Sequence, residues 1–119
     1  MLKKVFLLAV LFVLVLSCGS EERIPEDVLS QEKMIDLLID IRIAEGKIGT
    51  LTIPIDSAQL LFDALEQRIF EEHQIDTMVY LKSHNYYLMN PDKYLYITDA
   101  VIDSLKVRVQ QSYQSNYQR

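Results

Sequence analysis

Cysteine is almost missing from this chain: Cys18 is the only one in 119 residues. A disulfide within the chain is therefore excluded, and so is a zinc site built from thiolates. Glycine and proline are scarce as well, three of each, while half the residues are apolar. That balance excludes a disordered or low-complexity chain and fits a compact helical domain. Long hydrophobic runs are lacking. The longest, Val5 to Leu16, has 12 residues, short of the roughly 18 or more that a bilayer-spanning helix needs. Positive charge is also short, with 12 basic against 17 acidic residues. That balance argues against a nucleic-acid partner, which requires clustered Lys and Arg to displace counterions.

What is there begins at the N-terminus. Lys3 and Lys4 precede the apolar run, and Ser17 follows it. A basic start, a short apolar middle and a small residue predict a secretory signal peptide over residues 1–17. Its removal from 119 residues leaves 102, enough for one small domain. Lys3 and Lys4 leave with it, so ten basic groups face 17 acidic ones, a net charge of −7. This disfavours electrostatic attachment to anionic lipid.

The stretch Val15-Leu16-Ser17-Cys18 resembles the lipobox of bacterial lipoproteins. That resemblance implies a diacylglyceryl group on the Cys18 thiol, cleavage before Cys18, and acylation of the new N-terminus. Two or more acyl chains hold a protein firmly on a membrane where one does so only marginally. The alternative is an ordinary signal peptide with an incidental cysteine. Gly19, Ser20, Glu21 and Glu22 come next, and an acidic cluster behind the lipidated residue resembles an export tag for surface display on the outer membrane. A solvated linker is the competing reading of the same residues. Residues 18–30 as a whole read as an acidic, Pro-containing tether.

Four helices are expected after it. Ser30 caps the first, Gln31 to Ile48, whose apolar face is Met34, Leu37, Leu38, Ile41, Ala44 and Ile48. Glu32, Asp36 and Asp40 stack on its remaining stripe, where carboxylates bind a cation, act as an acid/base pair, or simply meet solvent. Asp56, with Gln59 in a capping box and Ile55 stapled to Leu60, starts the second helix. Ala58, Leu61, Phe62, Leu65 and Ile69 line its inner face, and His73 ends it over the last carbonyls. Asp76 caps the third, with Tyr80, Leu81, His84, Tyr87 and Leu88 on one face. Asn90-Pro91 ends that helix and opens the fourth, which Tyr94, Ile97, Val101, Leu105 and Val109 carry to about Gln111. Residues 112–119 read as a frayed polar tail.

Several of these residues also carry a family resemblance. Pro25 to Ser30 leading into Glu32-Lys33-Met34-Ile35, then His73-Gln74-Ile75-Asp76, Tyr80, Ser83, Tyr86-Tyr87, Asn90-Pro91, Ile97 and Val101 are similar in order and spacing to a family of small bacterial lipoproteins. That family is catalogued as a domain of unknown function, number 4296. The resemblance implies an all-helical lipoprotein and brings no substrate, cofactor or catalytic residue.

All seven tyrosines fall after residue 79. Helical spacing turns Tyr87 and Tyr94 inward and leaves Tyr86 and Tyr96 as exposed candidates for interaction, since tyrosine joins a broad apolar face to a hydroxyl that stays wet. Bulky filler for a tight corner is the other reading. No nucleophile–base pair and no metal constellation emerges from the spacing, so neither an enzyme nor a metal or cofactor is expected. The expectation is thus an all-α, up-and-down bundle of four helices over residues 31–111, anchored at the outer membrane through Cys18. A protein-interaction or accessory module of the envelope is the leading function. A periplasmic holdase-like chaperone with a broad apolar groove is the alternative, and an enzyme whose site the motifs do not reveal is the third reading.

Overall fold

A computed structural model describes residues 1–15 and 23–119 of the chain. Every regular element among them is helical: α1 (Leu2–Val15), α2 (Gln31–Gly49), α3 (Ile55–Glu72), α4 (Thr77–Leu88) and α5 (Pro91–Tyr117). The fold is all-α, as the composition indicated. No helix among the described residues is long and apolar enough to cross a membrane.

α2 is the element on which the others are assembled. Ser30 Oγ accepts the Lys33 amide at 3.3 Å and satisfies one of the orphan donors at its start. Met34, Leu37, Leu38, Ile39, Ile41 and Ala44 are all buried, an arc too wide for one neighbour to cover. α3 and α5 both pack along it, and α4 packs on α5. Each large apolar side chain removed from water contributes about 1.5–3 kcal/mol, so α2 supplies the largest share of the core.

The segment before α2 departs from the expected tether. Val28 and Leu29 are buried and Ile24 packs against the core. A buried peptide group must find partners, and Leu29 has two on α4. Its N–H donates to Ser83 Oγ at 2.8 Å, and its carbonyl accepts from the Tyr87 hydroxyl at 2.6 Å. Ser83 in turn donates to the Val79 carbonyl at 2.6 Å, and Lys82 pairs with Asp27 on the outside. Residues 24–30 therefore belong to the domain.

This clamp also corrects the facing of α4. Ser83 and Tyr87 are fully buried, whereas Leu81 and Leu88 are about half exposed. The helix turns the polar row inward because residues 28–29 offer it hydrogen-bond partners as well as apolar surface. Asp76 does cap α4, accepting from the Met78 amide at 2.8 Å. Asp56 does not cap α3. The cap position is Pro54, the helix starts at Ile55, and Gln59 donates to Asp63 instead. Ile55 and Leu60 are 83% and 73% exposed, so no staple forms between them.

α3 ends in a Schellman-type turn, with the Ile75 amide on the Phe70 carbonyl at 2.9 Å. The left-handed position of that turn falls to Gln74, at φ 55°, in a chain with no glycine to spare there. Finally, α5 does not fade at Gln111. It continues through Tyr117 with every residue from 106 onward exposed. No glycine or proline follows Pro91 to stop it.

Candidate functional site

Because α3 and α5 both lean on α2, a cleft of about 380 Å³ is left between them. Leu38 and Ile41 of α2 form its floor. Phe62 and Glu66 stand on the α3 wall, and Tyr94, Thr98, Val101, Ile102 and Leu105 on the α5 wall. Tyr80 and His84 of α4 close one end, where Arg42 and Glu45 of α2 also reach the rim. An apolar cleft with a few converging polar groups is the usual form of a binding site.

The aromatic end is tightly knit. The Tyr80 ring lies 5.0 Å from Phe70 and 5.8 Å from His84, and His84 meets Tyr94 edge-on at 6.3 Å. The His84 Nδ1 atom is buried without a hydrogen-bond partner, a vacancy that buried polar atoms seldom keep. Arg42 binds Glu45 at 2.7 Å; that hydrogen bond raises the guanidinium pKa against a smaller opposing effect of burial. Glu66 is half-buried in the wall. Burial pushes its pKa up, and the charges of Asp63 and Glu45 push the same way. The Tyr80 phenol is likewise raised, first by burial and then by the Glu66 charge. The cleft therefore combines an apolar floor with an uncompensated carboxylate and an orphan imidazole nitrogen.

The residues singled out from the sequence scatter. Cys18, Gly19, Ser20, Glu21 and Glu22 lie outside the described residues. Glu32 and Asp36 are exposed, whereas Asp40 is engaged: His73 Nε2 sits 2.8 Å from its Oδ2, and Arg108 approaches within 4.0 Å. His73 thus reaches across to α2 rather than over its own helix end, and neither it nor Asp40 lines the cleft. Among the described residues no group of three or more His, Cys, Asp and Glu is placed to hold a metal ion.

Tyr96 is exposed at 59%. Tyr86 is not free as expected: it packs on the core and edge-on to Tyr87 at 5.2 Å. Nor is either tyrosine in the cleft. His84 was anticipated only as a packed residue, and Glu66 was missed altogether. The signal for Glu66 was its spacing: Phe62, Glu66 and the buried Phe70 recur every four residues along α3.

Residues 25–111 match the family model described as a domain of unknown function (DUF4296). The match takes in the clamp segment as well as α2, α3 and α4 and most of α5. No curated protein and no solved structure matches the chain. With some three-quarters of its length inside that family model, the chain belongs to the DUF4296 family.

Proposed function

We propose that this protein is a lipid-anchored, non-catalytic interaction module of the bacterial outer membrane, with the cleft between α3 and α5 as its binding site. The observation that carries the proposal is the cleft itself. Two helices pack on a third and are held apart, so apolar floor and half-exposed wall residues such as Ile102 stay open to a partner. In this reading the four helices after Ser30 form an up-and-down bundle left open along one seam.

The anchor rests on the sequence of residues 1–18 and on the acyl chains that a lipobox cysteine carries. Packing of Ile24, Val28 and Leu29 on the core shortens the tether to residues 18–23, a reach of at most about 20 Å. The domain then works close to the bilayer. Glu21 and Glu22 in this short link serve as an export tag or as plain solvated spacer. The holdase-like alternative draws on exposed apolar side chains such as Leu60, Met78 and Met89. They lie outside the cleft, and a narrow cleft suits one defined partner better than many clients.

Two variants test the proposal. Cys18→Ser should lose partition into the detergent phase; retained partition contradicts the anchor. Ile102→Asp, at a site 48% exposed, should keep its helical content yet fail to retain in mild detergent whatever the parent captures from envelope extract. Unchanged capture by the folded variant contradicts the cleft as the binding site.

A further inference from the structure

Two features of this chain lack a counterpart, and they match each other. The first is the cleft, which runs along α5 from Tyr94 to Leu105, about 16 Å at the helical rise. The second is the end of α5. From residue 106 to Tyr117 it extends for 12 residues, about 18 Å, with all its side chains exposed. A helix of this length gains most of its stability from packing rather than from propensity, and among the described residues this one keeps its side chains exposed, with Arg108 near its start approaching Asp40 of α2.

The pattern along the extension indicates what it fits. Ile102, Leu105, Val109 and Tyr113 recur at spacings of three and four, the seam of a helix that packs on another helix. The first two line the cleft, so the seam leaves the cleft and runs on beyond it without a break. A continuous helix cannot fold its end back into the cleft it borders. The cleft of a second molecule has no such restriction.

We infer that this cleft receives the C-terminal end of α5 from a second copy of the same chain, in a reciprocal two-fold pair. Such a pair is self-complementary: each extension fills the other's cleft and each cleft is filled once. Charge supports the antiparallel setting. Acids are absent after Asp103, and Lys106 follows one turn later. Pairing two α5 helices antiparallel about residues 104–105 sets Lys106 of each level with Asp103 of the other, with Asp99 one turn further along α5. Val109 and Tyr113 then lie over the apolar stretch that ends at Tyr94.

This rests on the cleft being an interaction site, and the test separates the two claims. A photo-cross-linking benzoylphenylalanine replaces Phe62 on the α3 wall of the full-length lipoprotein, which is irradiated in intact cells and digested with trypsin. The expected product has twice the monomer mass and joins position 62 to the peptide Val109–Arg119. Val109→Asp, placed where the side chain is 52% exposed, should lower the yield at least tenfold. The parent protein in detergent should also sediment as a dimer that Val109→Asp converts to monomer with helicity intact. A cross-link to a different protein overturns the second-copy assignment and leaves the cleft as an interaction site. A monomeric parent that yields no cross-link overturns both. A dimer that survives Val109→Asp, or one cross-linked elsewhere, overturns the proposed pairing.

Discussion

The corner where residues 24–30 meet α4 and the cleft between α3 and α5 are built from similar residues to opposite effect. At the corner, Ser83, Tyr87 and the Leu29 peptide group are buried and bonded to one another. In the cleft, His84 Nδ1 is buried without a partner and Glu66 sits half-buried with its pKa pushed up by that burial. The same types of group are satisfied in one place and left wanting in the other. Stability is concentrated where the polar groups are paired, and recognition belongs where they are not.

The largest test of this division is Tyr87→Ala. Emptying a fully buried aromatic site should cost about 3–5 kcal/mol, enough to unfold a small domain. Leu60→Ala, at a side chain 73% exposed, should stay within about 0.5 kcal/mol. Denaturant melts of the two variants compare them directly, and similar losses would abolish the distinction.

Ser83→Ala is the intermediate case. It strands the buried Leu29 amide, a loss of about 1–3 kcal/mol, without removing apolar contact. Faster proteolysis within residues 23–30 should accompany it, because the clamp opens there first. A variant as stable and as resistant as the parent would show that the hydrogen bond to Leu29 does not hold the segment.

Glu66→Gln should give the smallest effect, of opposite sign. The carboxyl has a higher pKa in the folded chain than its ordinary 4.5, so folding favours its protonated form. Its contribution is full at low pH and is lost as pH rises from the unfolded value through the raised folded one. The variant should therefore melt above the parent at pH 7, and the gap should close as pH falls below about 4.5. A gap that is constant with pH would mean that the carboxylate is not desolvated in the cleft wall.

What the sequence disclosed of this fold was the part that depends on local chemistry. The buried stripe of α2, its Ser30 cap, the Asp76 cap of α4 and Pro91 at the start of α5 are all set by neighbours within a turn. What it hid depends on distant ones. Leu29 meets Ser83 and Tyr87 across 54 and 58 residues, so Pro25 to Ser30 read as linker although two of its side chains are core. His73 and Asp40 were each noticed alone, and only the packing of α3 on α2 joins them. On α3, Phe62, Leu65 and Ile69 pack inward as their spacing indicated, whereas Leu61 is 37% exposed and Phe70, outside the expected row, is buried because α4 as well as α2 meets that side of the helix. The cleft was invisible for a related reason: helical periodicity marks which face turns inward, but not which pair of inward faces fails to meet.

The central claim, that the cleft and the end of α5 are open in the isolated molecule and covered in the envelope, has a direct test. If the proposed anchor holds, amide hydrogen exchange can be compared between the protein in outer-membrane vesicles and the same protein diluted in detergent. The account predicts equal protection at residues 24–30 and in α4. It also predicts slower exchange in the vesicles for the walls of the cleft and for residues 106–117. Equal exchange of those two regions in both states would contradict it.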